Sequence, residues 1–518
     1  MGRNINIEPK KLADYTEILT NEFIEKTTSE DRKSKGQFFT PKSISEFMVR
    51  QYDNLHNKEK IKILDPGAGI GIFESTLCDI LISKGRRPIV SFDIYENDAK
   101  ILPYLKKNMR ICKNRMKDSG FEFSYRILSE DFIIRNSGLF KKDSEEIKEE
   151  NLYDYVISNP PYYKIRKNSP SAKDLGVILK GQPNIYMLFM TLSAKLLKKE
   201  GELVVITPRS YCSGPYFKNF RVWFFNYMKP TKIHVFGSRK DVFRKHNVLQ
   251  EMVILSAIKR EEDPKYITIS NSEGDNLSAK KIIKRRTEYS KSIIKTDSDF
   301  IMRIPMLEED ELLADKVDGQ GNKLSSFGFK VSTGPVVPFR ASDSLIDDLE
   351  EKKKFVPLVW MQNIKEGRVI WPLVGIKKPI AIKSNNLTKK ILVPNENYVL
   401  IKRFSAKEGR KRIDAGVLLK KWINSDFIGI ENHVNYIYKP RGSLSEEEAY
   451  GLSAILNSKI YDRYFKIING STQVNAAEIM SFPFPDIEKI RLIGKSVKQN
   501  KDCDNFNIEK IMAEMLEL

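Results

Sequence analysis

Residues 61–73 read IKILDPGAGIGIF. An apolar run from Ile61 to Leu64 ends on Asp65. Pro66, Gly67, Gly69 and Gly71 follow, and then the helical stretch IFESTLCDILISKG, which stops at Gly85. A buried strand, a tight turn and a helix explain this order of residues. Glycines at a strand-to-helix turn let a ligand approach the backbone closely. The turn lacks the Lys-Ser/Thr of a P-loop, which disfavours ATP. Asp65 at the strand end would repel a pyrophosphate and favours a ligand with a cationic part.

Outward from this stretch the same unit repeats. PIVSFDI (88–94) predicts a second strand, FEFSYRILSED (121–131) a third and YDYVIS (153–158) a fourth, with helices between them. NIYMLFMTLSAKLLKKEG (184–201) predicts a helix closed by Gly201. ELVVITP, KIHVFG and QEMVILSAIK predict further strands. Strands alternating with helices predict an α/β fold, a Rossmann-like doubly wound, mostly parallel sheet. In such sheets an acidic residue after the second strand holds ribose hydroxyls. Asp93 is the candidate, with Glu96 its nearby competitor. Asp131 and Phe132 after the third strand suit an adenine, the carboxylate accepting from its amine and the ring covering its face.

After the fourth strand comes SNPPYY (158–163). Two prolines neither continue a helix nor pair within a sheet. They hold an amide, Asn159, beside an aromatic face, Tyr162. An exocyclic amine on a base is a poor nucleophile because its lone pair is delocalised into the ring. Two acceptors aimed at its N–H bonds favour a tetrahedral nitrogen with the lone pair freed. The Asn159 oxygen and a carbonyl held rigid by Pro160-Pro161 supply them, and Tyr162 stacks on the base. Tyr163 has no assigned role.

The chain has 518 residues, too many for one core, so two or more domains are expected. Its net charge of +20 makes nucleic acid the first partner to consider. An AT-rich genome explains a lysine-rich composition equally well. Cys78, Cys112, Cys212 and Cys503 form no C-x-x-C pair, so no metal site is expected. No run is apolar enough to span a membrane and no signal peptide is evident, so a cytoplasmic location, nucleoid-associated when bound, is expected. Beyond about residue 262 the alternation fades. Short β-like runs (FGFKVST, KFVPLVW, RVIWPLV, YVLIKRFS, FIGIENHVNYIYKP) and one long helix, SEEEAYGLSAILNSKIYDRYFKII, predict a second, α+β domain.

These motifs resemble those of the γ-class DNA adenine-N6 methyltransferases of bacterial restriction–modification systems, of the TaqI type. The family's order is a "TP" motif, the Gly-rich motif, NPPY and a C-terminal target recognition domain. Here it reads KGQFFTP (35–41), ILDPGAGIGIF, SNPPYY and a basic C-terminal half. The resemblance implies the fold of class I S-adenosylmethionine-dependent methyltransferases, and that compound as cofactor. It gives Thr40, Pro41, Gly67 and Gly69 to the methionine moiety, with Asp65 and Gly71 in the same motif, Asp93 to the ribose, and Asp131 and Phe132 to the cofactor adenine. Asn159 and the Pro160 carbonyl would bind the target amine, with Pro161 holding the bend. Tyr162 and Phe243 would sandwich a base flipped out of double-stranded DNA.

Lys164, Arg166 and Lys167 after the motif, and Arg340, Arg403, Arg410, Arg412, Lys439 and Arg441 in the second half, are candidate DNA contacts. A solvated surface is the competing explanation for each. The implied organisation is a helical lead-in (1–33), a catalytic domain (34–262), a connecting segment (263–319) and a recognition domain (320–518). A cognate restriction endonuclease is an implied partner. The alternatives are cytosine-N4 methylation, an RNA or protein amino-methyltransferase, and a catalytically silent DNA-binding protein.

Overall fold

The computed structural model describes the chain outside residues 1–10, 54, 56, 142–145, 166–168, 170–174, 177, 179–183, 237–250, 273–276, 278–280, 348–354, 374, 376, 406–410, 470–472, 500–504 and 517–518. It divides into two compact units, Met1–Met306 and Leu307–Leu518.

The strands of the first unit are β1 (Lys60–Asp65), β2 (Ile89–Tyr95), β3 (Phe123–Leu128), β4 (Tyr153–Ser158), β5 (Leu197–Pro208), β6 (Met228–Phe236), β7 (Met252–Lys259), β8 (Tyr266–Ser272) and β9 (Ile283–Glu288). Among the described residues they form one sheet in the order β3-β2-β1-β4-β5-β7-β6-β8-β9. β1 to β5 are parallel, and β7 runs antiparallel between β5 and β6. A strand covered on both faces reads as a continuous apolar run, and β5 shows why. Leu203 and Val205 enter one core layer, Val204 and Ile206 the other. Helices α3 (Lys42–Val49), α4 (Ile72–Lys84) and α5 (Leu102–Asp118) cover the second face; helices Ile185–Leu196 and Lys218–Tyr227 cover the first. The chain order reverses between β1 and β4. There the loops leaving the two carboxyl ends diverge and open a crevice.

Three boundaries differ from expectation. The lead-in is part of the first unit: both oxygens of Asp79 on α4 accept from Leu12 N and Ala13 N at 2.9 Å, at the start of helix α1 (Leu12–Glu25). The segment expected to connect domains instead supplies β8 and β9, in register with β6 and with each other. Its polar composition reflects the sheet's edge, where β9 is mostly exposed. The helix expected to reach Gly201 ends at Leu196, and β5 begins at Leu197.

The second unit holds a six-stranded and a five-stranded sheet, counted over described residues. A core of helices packs on the first, around Leu452, Phe465 and Ile490. The long helix expected there is two, Glu446–Asn457 and Lys459–Ile468, because Ser458 turns out of the helix and its hydroxyl accepts from Tyr461 N at 3.2 Å. Among the described residues no helix is long and apolar enough to cross a membrane.

Candidate active site

A cavity of about 570 Å³ opens at the carboxyl ends of β1 to β4. It is lined by Pro66, Gly67 and Gly69 after β1, Glu96 and Asp98 after β2, Asp131 and Phe132 after β3, and Asn159 and Pro161 after β4. Residues Ser34 to Phe39 form a strap that closes one side. The parallel topology thus gathers at one place residues spread over more than a hundred positions of sequence.

The Gly-rich turn is built from behind. Asn108 of α5 donates Nδ2 to Ile70 O (2.8 Å) and Gly71 O (3.1 Å), and its Oδ1 accepts from the hydroxyls of Thr16 (3.1 Å) and Ser75 (3.2 Å). Gly71 has φ +91°, and a Cβ there would meet Asn108 Nδ2 at 2.9 Å. This glycine is required by packing, and it does not line the cavity. Gly67 and Gly69 do, and a Cβ on Gly67 would come only as close as 3.5 Å to Phe189.

Asp65 is fully buried beneath the turn, with Oδ1 accepting from Gly67 N at 3.0 Å. Among the described residues its other oxygen and both oxygens of buried Glu74 make no well-formed hydrogen bond, and the two carboxyls lie near enough to influence each other. Burial raises both groups, Asp65 well above the carboxylate range and Glu74 to about 8. Asp65 therefore shapes the turn instead of facing a cationic ligand.

Asp93 also departs from expectation. It lies within β2, 3% exposed, and does not line the cavity. Arg126 grips it through Nε and Nη2, both at 2.6 Å, and Tyr153 Oη donates to it at 2.7 Å. Burial pushes its pKa up, but the Arg126 and Tyr153 hydrogen bonds outweigh that and hold it below the usual value. Glu96, the competitor, occupies the expected position. β2 continues to Tyr95, so the first acidic residue past the strand end is Glu96. It accepts from Gly69 N (3.0 Å) and Asp98 N (2.7 Å), and burial raises it to about 7.

Asp131 caps helix α6 (Phe132–Asn136) through Ile133 N and Ile134 N, both at 2.9 Å, while lining the cavity. Phe132 packs edge-on against Tyr95 and tilted against Phe189.

Asn159 follows β4, whose six residues are all buried. Its Nδ2 donates to Phe38 O at 2.8 Å and Thr40 Oγ1 at 2.9 Å. The single hydrogen of Tyr162 Oη is shared between Asn159 Oδ1 and Ile206 O (3.0 Å). The Tyr162 ring stacks on Phe38, 5.7 Å between centroids and 15° between planes. Helix α3 begins at Lys42, with Pro41 as its N-cap residue, so the Thr40 hydroxyl is turned to Asn159 and does not cap the helix. Pro41 does not line the cavity. Phe243, the expected second aromatic, lies outside the described residues. Tyr163 lines the cavity; a Cβ on Gly36 (φ +64°) would meet its ring at 2.9 Å. No signal in the sequence pointed to Phe38.

The basic candidates do not converge as a set. Arg166, Lys167 and Arg410 lie outside the described residues. Lys164 is exposed and bridges Asn184. Arg403 donates Nη1 to Asn432 O at 3.1 Å, at the end of strand Tyr398–Lys402. Lys439 follows the antiparallel strand Val434–Tyr438, where Ile437 pairs with Val399. The two are therefore about 20 Å apart along the sheet at ~3.3 Å per residue. Arg340 stands over the ring of Phe339, which is 78% exposed, and Arg441 is exposed. Arg412 is half-buried, with its backbone N bonded to Asp462.

A mostly parallel sheet of this order, with a Gly-rich cavity at its carboxyl edge and an NPPY turn, is the fold of a class I methyltransferase. The family model for Eco57I restriction-modification methylases matches residues 81–243. The chain is 33% identical over 496 residues to Type II methyltransferase M.PstI of Providencia stuartii, spanning 95% of each. It is 35% identical over 492 residues to Type II methyltransferase M.BsuBI of Bacillus subtilis, spanning 94% of this chain and 95% of that one. The chain belongs to this family of Type II methyltransferases. Among solved structures, the fold resembles that of the Type IIL restriction-modification enzyme MmeI in complex with DNA. The TM-score is 0.57 at 12% identity, covering 98% of this chain and 73% of that one.

Proposed function

We propose that this methyltransferase transfers a methyl group from S-adenosylmethionine to the exocyclic N6 of an adenine flipped out of double-stranded DNA, as the modification partner of a restriction endonuclease in the bacterial cytoplasm. The observation that carries the reading is Asn159. It sits at the mouth of a cavity large enough for a nucleoside cofactor, with its amide nitrogen engaged and its oxygen turned away from the strap.

Gly67 and Gly69 admit the methionine moiety, Glu96 takes the ribose hydroxyls in place of Asp93, and Asp131 with Phe132 holds the adenine. The bound cofactor supplies an activated methyl on a sulfonium. The protein's part is positioning, in which the Asn159 oxygen and the Pro160 carbonyl accept from the target amine and Tyr162 stacks on its ring. Exposed Arg340 and Arg441, with half-buried Lys439, contact phosphates. The test is sequencing of DNA from cells expressing the protein or its Asn159→Ala variant, with detection of modified bases. N6-methyladenine at one short motif, absent with the variant, is the expected result. N4-methylcytosine, or no new modified base, overturns the assignment.

A further inference from the structure

The strap over the cavity is tied at both ends. Lys35 Nζ and Gln37 Nε2 donate to Asp98 Oδ2 at 2.9 and 2.6 Å. Five residues on from Lys35, Thr40 Oγ1 accepts from Asn159 Nδ2, as does the carbonyl of Phe38. The strap that walls the cofactor cavity therefore also holds the residue that meets the target base.

The two acceptors on Asn159 are not equivalent. A hydroxyl can donate or accept, but a backbone carbonyl only accepts. The Phe38 carbonyl therefore requires a hydrogen-bearing atom opposite it, and this fixes which end of the Asn159 amide is nitrogen. Thr40 takes the second hydrogen. With both N–H bonds satisfied on the strap side, Oδ1 is turned to Tyr162 Oη. Thr40 is buried and directly precedes Pro41, which bars the Thr40 backbone from the helical region.

We propose that Thr40 and the Phe38 carbonyl are positioning groups that set the polarity of the Asn159 amide, so that its oxygen is presented to the target amine. The same geometry explains why an amide stands at this position: a carboxylate would place an oxygen against the Phe38 carbonyl, acceptor against acceptor. The inference rests on the reading of Asn159 as a target-amine acceptor. It assigns Thr40 to the amide, not to the cofactor.

Three variants test it: Thr40→Val, Thr40→Ser and Asn159→Asp. Single-turnover methyl transfer to DNA is measured at saturating cofactor and DNA. Cofactor Kd and Tm are measured separately. Thr40→Val is expected to lower the transfer rate by about 10- to 100-fold, the scale of a misplaced reacting group, with cofactor Kd little changed. Thr40→Ser restores the rate. For Asn159→Asp, the rate is expected to rise as pH falls, because a protonated carboxyl can donate to the Phe38 carbonyl as the amide does. That profile reports on the Phe38 carbonyl; for Thr40, a merely structural role would lower Tm and cofactor affinity along with the rate and would not be rescued by the serine hydroxyl.

The inference is overturned if Thr40→Val weakens cofactor binding and leaves the saturated rate intact. It is also overturned if Asn159→Asp matches the wild-type rate or is independent of pH. Where Thr40→Val does not fold, Thr40→Ala against Thr40→Ser decides for the hydroxyl, and the pH profile of Asn159→Asp decides for the Phe38 carbonyl. A wild-type protein that methylates no DNA overturns the underlying reading as well, an outcome visible before any variant is compared.

Discussion

The hydroxyl of Tyr162 donates to the side-chain oxygen of Asn159, so the acceptor expected to meet the target amine is already occupied by its own neighbour. Burial keeps this phenol well above its usual pKa, and it remains a donor. A base entering the site must displace it. Tyr162→Phe keeps the ring and removes this competitor. The expected outcome is a turnover rate near wild type and a KM for DNA lowered by up to about tenfold, as a pre-engaged state reduces apparent affinity. Tyr162→Ala also removes the stacking face and should cost about 1–3 kcal/mol of target binding. Steady-state kinetics on the two variants decide the point. Equal losses in both would show that the hydroxyl assists the reaction.

Asp93 and Glu96 separate fold from ligand. Asp93→Asn leaves Arg126 and Tyr153 without their shared carboxylate and should lower stability by about 1–3 kcal/mol, with cofactor affinity nearly unchanged. Glu96→Gln should weaken cofactor binding about tenfold or more, since hydrogen bonds to a charged acceptor are worth ~1.5–3 kcal/mol, and leave Tm close to wild type. Thermal denaturation and calorimetric titration with the cofactor distinguish them. The reverse pattern would return the ribose to Asp93.

Glu96 also sets a pH dependence. Its carboxyl is raised to about 7 in the free protein. In the proposed role, the ionised group accepts from ribose hydroxyls above that pH; below it a proton must first be lost. Cofactor affinity should fall by up to about tenfold per pH unit below 7, and Glu96→Gln should remove the slope. A flat titration between pH 5.5 and 8 with the wild-type protein excludes this role.

Glu74 gives a stability signature. Its folded value, about 8, lies above the 4.5 of an ordinary glutamate because of burial. The native state then holds a proton that the unfolded chain releases. This contribution is complete below pH 4.5 and is lost as pH rises through about 8, with the slope shared between Glu74 and its buried neighbour Asp65. Glu74→Gln should therefore be increasingly more stable than wild type from pH 5 to 8 in denaturant titrations. A constant difference across that range refutes the assignment.

Arg340 and Arg441 provide a test of DNA binding by salt. Each replaced by Ala should weaken DNA binding across all sequences and lower the slope of log K against log salt by about 0.9 for each phosphate no longer neutralised. An unchanged slope identifies a solvated surface charge.

The ordering of strands through residue 260 was legible because parallel strands covered on both faces leave continuous apolar runs, as in Ile61–Leu64 and Leu203–Ile206; the helix Lys218–Tyr227 was not expected. Beyond residue 260, β9 was missed because an exposed edge strand such as IKRRTE has no apolar period to read, and β8, YITISNS, because its buried positions beyond Ile267 and Ile269 are polar. Ser458 broke an expected helix because a cap competes locally with a periodicity that continues through it.

The sequence by itself determined the α/β class, the Gly-rich turn, the NPPY turn and the order in which they occur, since these depend on local propensity and short-range pattern. Only the tertiary structure decided which acidic residue faces the cavity, that Asp65 and Gly71 serve packing, that Phe38 stacks on Tyr162, and that Thr40 holds Asn159. Those facts depend on where each strand ends in three dimensions and on how segments more than a hundred residues apart meet. Thr40 and Asn159 are 119 positions apart in the chain and 2.9 Å apart in space. Neither residue carries any local sign of the other, because a hydrogen bond between distant loops leaves no period in the sequence.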